Sequence, residues 1–226
     1  MSTHLTLTET NGPTSRHTAR LDMAHLLYMV AYGEDLAAYC AHWQSTVVHD
    51  RRSQRFFAAQ YHQERFHRRF FQRVATSLAP AYTPPGASFC HLETYRERLY
   101  SAIRHERWFE VLVGQQLVLE GIGEIALRHM DDRIFRDQDR FQHLRKLILR
   151  QEHAHHAYGL RQIDDAIAAQ EIDTVTLRDL AQPYLNLAEC MLNDASGLLT
   201  HLNIDASRLQ QELWSDLPDW LRQDRQ

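Results

Sequence analysis

Apolar residues recur at spacings of three and four over most of the chain, the period of an α-helix with one buried face. Leu27, Val30, Ala31, Glu34, Ala37, Ala38, Ala41 and Val48 fall on one such stripe and predict a helix over 20–48. His49-Asp50 breaks the pattern, with Asp50 as the cap of a second helix whose stripe runs through Phe57, Tyr61, Glu64, His67, Phe71, Val74 and Leu78. Pro80, Pro84, Pro85 and Gly86 end that helix, and 79–104 reads as a long connection with a short helix of its own from Leu92. A third helix, 105–130, carries Phe109, Val113, Gln116, Leu117, Glu120, Gly123, Glu124 and Leu127 on one face. After a charged turn at 131–137, a fourth helix over 138–169 turns Phe141, Leu144, Ile148, Leu149, Glu152, His155, Gly159 and Ile163 inward. A C-terminal helix over 174–202, kinked at Pro183, and a short piece near 205–214 with Trp214 and Trp220 packing back as a lid complete the pattern. Residues 1–19 show no apolar period and read as an arm outside a single domain, 20–226. Without strand or hairpin signals the class is all-α, and two short hairpins joined by a long crossover describe a four-helix bundle with additional C-terminal helices.

Composition narrows the possibilities without deciding them. The chain has 226 residues, 44% of them hydrophobic, which suffices for a core that needs neither disulfides nor structural zinc. Its three cysteines, Cys40, Cys90 and Cys190, are widely spaced and form no CxxC pair. Acidic residues outnumber basic ones 29 to 25, so no global field favours nucleic acid or an anionic membrane. The start of the chain lacks a signal-peptide pattern and no apolar run is long enough to span a bilayer, so a cytoplasmic location is expected. The unusual figure is 15 histidines, which raises the question of metal.

Two Glu-x-x-His motifs answer it: Glu64-Arg65-Phe66-His67 and Glu152-His153-Ala154-His155. At that spacing a carboxylate and an imidazole leave one helix face together and can reach one ion. Such a motif arises easily by chance, and the wider spacing is what distinguishes these. Glu34 precedes Glu64 by 30 residues and Glu120 precedes Glu152 by 32, so a single Glu followed one hairpin later by Glu-x-x-His occurs twice. The midpoints, 49 and 136, fall in the two predicted turns, which puts the members of each pair at one height, about 23 Å from their turn at 1.5 Å per residue. Four carboxylates on apolar stripes must be protonated, paired with cations or bound to metal. Together with two neutral imidazoles they balance two divalent ions, and oxygen and nitrogen ligands without thiolate suit iron or manganese better than structural zinc. The alternative is a set of surface ion pairs with Arg65 and Arg150 as partners.

This pattern resembles the ferritin-like di-iron carboxylate superfamily, in which two helices give one Glu each and two give Glu-x-x-His. Glu34 and Glu120 match the single-Glu helices, and Glu64/His67 and Glu152/His155 match the other two. Within the superfamily the chain looks most like the cyanobacterial aldehyde-deformylating oxygenases, in length, ligand order, the long crossover, Leu117-Val118-Leu119-Glu120, and Tyr158-Gly159 after the second motif. The resemblance implies a ferritin-like bundle holding two Fe ions, or a Mn/Fe pair, with O₂ as co-substrate. It implies an oxidase or oxygenase acting on a small apolar or fatty-acyl/aldehyde-like substrate, free or tethered to a carrier protein. No flavin, rubredoxin or iron–sulfur signature is visible, so a separate reductase or ferredoxin-like donor is expected, and a homodimer is compatible with this reading. Arg51, Arg52, Arg55, Arg65, Arg68, Arg69 and Arg73 make the second helix basic, which keeps open an RNA-modifying di-iron hydroxylase. An iron-binding or peroxidase protein without oxygenase activity is the other alternative.

Several neighbours invite roles around the site. Glu124 lies one turn beyond Glu120 and reads first as an ion-pair partner of Arg128, and second as a further ligand or a hydrogen-bond acceptor beside the metal. Tyr158, with Tyr32 and Tyr61, stands near the ligands and could hydrogen-bond to them, although ordinary core tyrosines are commoner. His153 and His156 lack the Glu-x-x-His relation. Gly121 suggests close helix packing and Gly123 space for substrate or O₂.

Overall fold

In the computed structural model, which describes residues 13–130 and 139–222, every regular element is a helix. α1 (Pro13–Val47) and α2 (Arg51–Leu78) are joined by three residues and pack along their length. Asp50 caps α2 from an extended backbone, its carboxylate accepting the Ser53 amide at 2.8 Å. Glu34 faces His67, Asp35 pairs with Arg68, and Tyr28 meets Thr76, so the two helices are antiparallel. α1 opens at Pro13, so residues 13–19, expected from their polar composition to belong to an arm, are helical. Proline suits a first helical turn because its missing N–H would have gone unpaired there. The expected arm's residues 1–12 lie outside the described residues.

The connection after α2 holds a 3₁₀ turn (Gly86–Phe89) and α3 (Cys90–Arg104), which buries Leu92, Tyr95, Leu99, Ala102 and Ile103. α4 (Trp108–Val111), a π-helical segment (Leu112–Leu119) and α5 (Glu120–His129) then run on without a break. A regular α-helix was expected over 105–130, and the wider π turns are the correction. All 8 residues of the segment are buried, because α6 (Asp139–Ala168) covers one side and α7 (Thr174–Asp194) another. α6 runs antiparallel to α5: Arg145 donates to the carbonyls of Leu127 and Met130, His153 reaches Glu124, and Gly159 lies against Gln116. The turn expected at 131–137, and the side chain of Phe141, lie outside the described residues.

The single C-terminal helix expected over 174–202 is two helices, α7 and α8 (Ser196–His201). Asn193, Asp194, Ser196 and Gly197 are poor helix formers, and the break falls among them. Pro183 lies inside α7 as expected. α9 (Ala206–Asp216) folds back, with the Trp214 indole donating to Glu189 at 2.9 Å, and α10 (Asp219–Arg222) follows. The core of this helical bundle includes fully buried Phe57, Phe71, Tyr95, Leu117, Leu127 and Tyr184. Among the described residues, no helix is long and apolar enough to cross a membrane.

Two glycines test how tightly the helices fit. A Cβ on Gly159 would stand 2.2 Å from Cβ of fully buried Gln116, whereas one on Gly123 would meet nothing within 4 Å. Gly159→Ala is therefore expected to destabilise the protein by about 3 kcal/mol, and Gly123→Ala to be neutral or stabilise it by up to about 1 kcal/mol, in denaturant unfolding.

Candidate metal centre

Four helical stretches each direct acidic or imidazole side chains at one point in the interior. Glu34 comes from α1, Glu64 and His67 from α2, Glu120 from the first turn of α5, and Glu152 and His155 from α6. None of the six is more than 6% exposed. The three-residue spacing puts Glu64 and His67 on the same face of α2, and Glu152 and His155 on the same face of α6. Surface ion pairs with Arg65 and Arg150, the alternative left open by the sequence, do not describe these carboxylates.

The six form two overlapping groups with potential ligand atoms within 4.8 Å of one another: Glu34, Glu64, His67 and Glu152, and Glu64, Glu120, Glu152 and His155. Nδ1 of His67 faces Oε1 of Glu152 at 2.8 Å, Oε2 of Glu64 at 2.9 Å and Oε2 of Glu34 at 3.3 Å. Nδ1 of His155 faces Oε1 of Glu64 at 2.8 Å, with Oε2 of Glu120 at 3.7 Å and Oε2 of Glu152 at 3.8 Å. Glu64 and Glu152 thus each turn one oxygen toward either imidazole, as a bridging carboxylate must. One N–H can serve only one of three surrounding oxygens. Both oxygens of Glu64, Oε1 of Glu152 and Nδ1 of His155 have no hydrogen-bond partner of good geometry among the described residues. Unpaired buried donors and acceptors are costly, and a cation at the focus of each group would satisfy them. The donor set of oxygen and nitrogen fits iron or manganese.

A set of glutamines outside the residues marked by the Glu-x-x-His pattern orients these groups. Nε2–H of His67 donates to Gln151 at 2.9 Å and that of His155 to Gln63 at 2.7 Å, which leaves each Nδ1 facing the carboxylates. The arrangement is reciprocal, since the glutamine beside Glu64 holds the histidine of α6 and the one beside Glu152 holds the histidine of α2. The signal was present in the chain, because each Glu-x-x-His is preceded by Gln. Gln60 and Gln115 both donate to Oε1 of Glu120, at 2.8 and 2.9 Å, and Gln116 donates to Gln60 and Gln115. The π turns are what bring Gln115, Gln116 and Glu120 inside together, with the Glu120 amide bonded to the Gln115 carbonyl.

The electrostatics sort the carboxylates into two kinds. Burial pushes Glu34 and Glu120 well above the ordinary carboxylate range, reinforced by Glu152 at Glu34 and by Glu64 and Glu152 at Glu120. Burial pushes Glu64 and Glu152 the same way, but His155 and His67 outweigh it and hold both below that range. Both histidines are raised, because the surrounding carboxylates overcome the burial that would lower them. Without metal, compensation therefore takes a proton on each of Glu34 and Glu120 and an extra proton on each of His67 and His155. That is the charge two divalent ions would bring.

An apolar cavity of about 120 Å³ adjoins the cluster, of the order that admits a benzene-sized molecule. Glu34, Glu120 and Glu152 form its polar wall, and Val30, Gly33, Leu119, Gly123, Met191 and Leu199 belong to its apolar lining. Gly123 leaves open space there, as the sequence suggested, while a side chain on Gly121 would rest in ordinary contact with His156. Glu124 stands outside both groups, 3.2 Å from His153, 3.5 Å from His156 and 3.9 Å from Arg128. Tyr158 bonds to Ser53 at 2.7 Å and stacks on Phe56, whose ring in turn meets His155 edge-on. Tyr61 pairs with Arg65, and Tyr32 packs against Phe89. No protein-family model matches the chain, and no curated protein matches it.

The protonation pattern predicts how metal and pH are linked. Glu34, Glu120, His67 and His155 all have folded values above their ordinary 4.5 or 6.5, so each stabilises fully below that value and loses its contribution as pH rises. Glu64 and Glu152, held low, lose theirs only as pH falls below 4.5. Metal-free protein should therefore lose stability above pH 4.5, more steeply above 6.5, and divalent metal should raise Tm more at about pH 8 than at about pH 6. Melting curves with and without Mn(II) check this, and an equal gain at both pH values would contradict it.

Proposed function

We propose that the chain is a ferritin-like four-helix bundle, built from α1, α2, the α4-to-α5 rod and α6, that houses a di-iron centre for O₂-dependent oxidation of an apolar organic substrate. The observation that carries this reading is the pair of ligand groups sharing Glu64 and Glu152 beside an apolar cavity. Glu34, Glu64, His67 and Glu152 would hold one ion and Glu64, Glu120, Glu152 and His155 the other, with Glu64 and Glu152 common to both groups and each histidine offering Nδ1. When bound, two Fe(II) ions supply the electrons and coordination sites for O₂ activation, with a Mn/Fe pair as the alternative metal content.

The chain's own groups divide the remaining work. Gln63 and Gln151 hold the imidazoles in one tautomer and orientation. The two amide bonds on Oε1 of Glu120 leave Oε2 for metal and restrict that carboxylate, whereas among the described residues Glu34 is hydrogen-bonded to His67 alone, and both carboxylates border the cavity. Glu34 is thus the carboxylate with the greater freedom to move, and substrate would approach along the cavity wall that Glu34, Glu120 and Glu152 share. The apolar wall excludes water and favours a hydrocarbon-rich substrate of the fatty-acyl or aldehyde kind. Electrons for repeated turnover would come from a separate donor of the ferredoxin type.

The exposed arginines of α2, among them Arg51, Arg55, Arg65, Arg69 and Arg73, favour a second reading in which RNA carries the substrate. The test is anaerobic loading with Fe(II), then O₂ uptake with and without butanal, which is small enough for the cavity, under a chemical reductant. We expect about two iron per chain, butanal-stimulated O₂ uptake, and loss of both in Glu64→Ala and Glu152→Ala. Iron oxidation indifferent to butanal would favour an iron-binding protein without oxygenase activity, and tight, salt-dependent RNA binding would favour the hydroxylase.

A further inference from the structure

Away from the carboxylate cluster, three side chains of different ligand chemistry meet where α3 begins and α7 ends. Nδ1 of His91 lies 3.7 Å from Sγ of Cys90 and 2.5 Å from Oδ2 of Asp194, and one atom from each residue lies within 4.8 Å of the others. Cys90 and His91 are the first residues of α3, and Asp194 is the last of α7, so the cluster joins elements about 100 residues apart in the chain. All three remain open to solvent, with the His91 and Asp194 side chains 35% and 42% exposed.

Asp194 closes α7 one residue before the cap of α8, and its carboxylate faces His91 across that junction. The donors are sulfur, nitrogen and oxygen, a set that selects a borderline ion such as Zn²⁺ over iron held by carboxylates. Ligand atoms around a tetrahedral zinc stand about 3–4 Å apart. Cys90 and His91 already have that separation, and Asp194 needs to swing outward by only about 1 Å, which its exposure permits.

We propose that Cys90, His91 and Asp194 form a single-ion site for a zinc-class divalent cation, with water completing the tetrahedron and the Cys90 thiol proton released to solvent on binding. Leu92 follows His91, and Ala195 follows Asp194, and both line the apolar cavity. An ion here would tie two walls of that cavity together at its outer edge, fixing α3 against the α7–α8 junction. The site uses none of the six buried ligands and stands whether or not the buried centre holds iron.

Titration of the full chain with Co²⁺ tests it, because a sulfur-to-cobalt charge-transfer band in the near ultraviolet requires a thiolate and the buried cluster contains none. The expected result is a band saturating at about one equivalent and reversed by Zn²⁺. It should vanish in Cys90→Ser, survive in Cys190→Ser, weaken in affinity about tenfold or more in His91→Ala and Asp194→Asn, and persist in Glu64→Gln/Glu152→Gln. Absence of the band in the unmodified chain, or its persistence in Cys90→Ser, would overturn the proposal.

Discussion

Six ionisable side chains share a dry space at the centre of this protein, and their charges have to be compensated there. Four carboxylates taken out of water without partners would cost more than the net stability of a domain. The two imidazoles and the protons on Glu34 and Glu120 relieve that cost only partly, because they crowd three oxygens around one nitrogen at His67 and leave Glu64 without an aligned donor. Much of the surrounding structure bears on this constraint. The antiparallel pairing of α1 with α2 and of α5 with α6 brings the carboxylates to one height, the π turns bring Glu120 and its amide partners inside, and α7 seals the π segment from solvent.

Neutral amides do the positioning that further charges could not do cheaply. Gln63 and Gln151 cross between α2 and α6 to fix the imidazoles, and Gln60, Gln115 and Gln116 form a buried net that ends on Glu120. Each amide satisfies a polar atom without adding to the local charge. The outcome is an asymmetric site on the wall of an apolar cavity, in which Glu120 is held by two amide hydrogen bonds and Glu34 faces a single histidine nitrogen. Such an asymmetry suits chemistry in which one side of a metal pair stays fixed while the other admits a ligand.

Much of this was legible in the chain because helical period and turn chemistry are local. Asp50 announced the start of α2, and the placing of Glu34, Glu64, Glu120 and Glu152 about two turns announced which residues would meet. Features that depend on several helices at once were harder to read. The π segment arises where α6 and α7 bury every side of Leu112–Leu119, and a one-helix pattern has no access to that. The split between α7 and α8 turns on weak local propensities, and the start of α1 at Pro13 on a helical turn with no apolar stripe. The Cys90, His91 and Asp194 cluster joins residues with no periodic relation, so nothing in their spacing could reveal it.

A crystal structure of the Fe(II)-loaded protein, recorded at the iron absorption edge, would show directly whether Glu64 and Glu152 are shared between two metal ions. Two anomalous peaks are expected about 3.5–4 Å apart, one within bonding distance of Nδ1 of His67 and the other of Nδ1 of His155, with the carboxylates of Glu64 and Glu152 between them. A cluster that stays free of metal at saturating Fe(II), with the carboxylates paired only to the protonated histidines, would contradict that sharing.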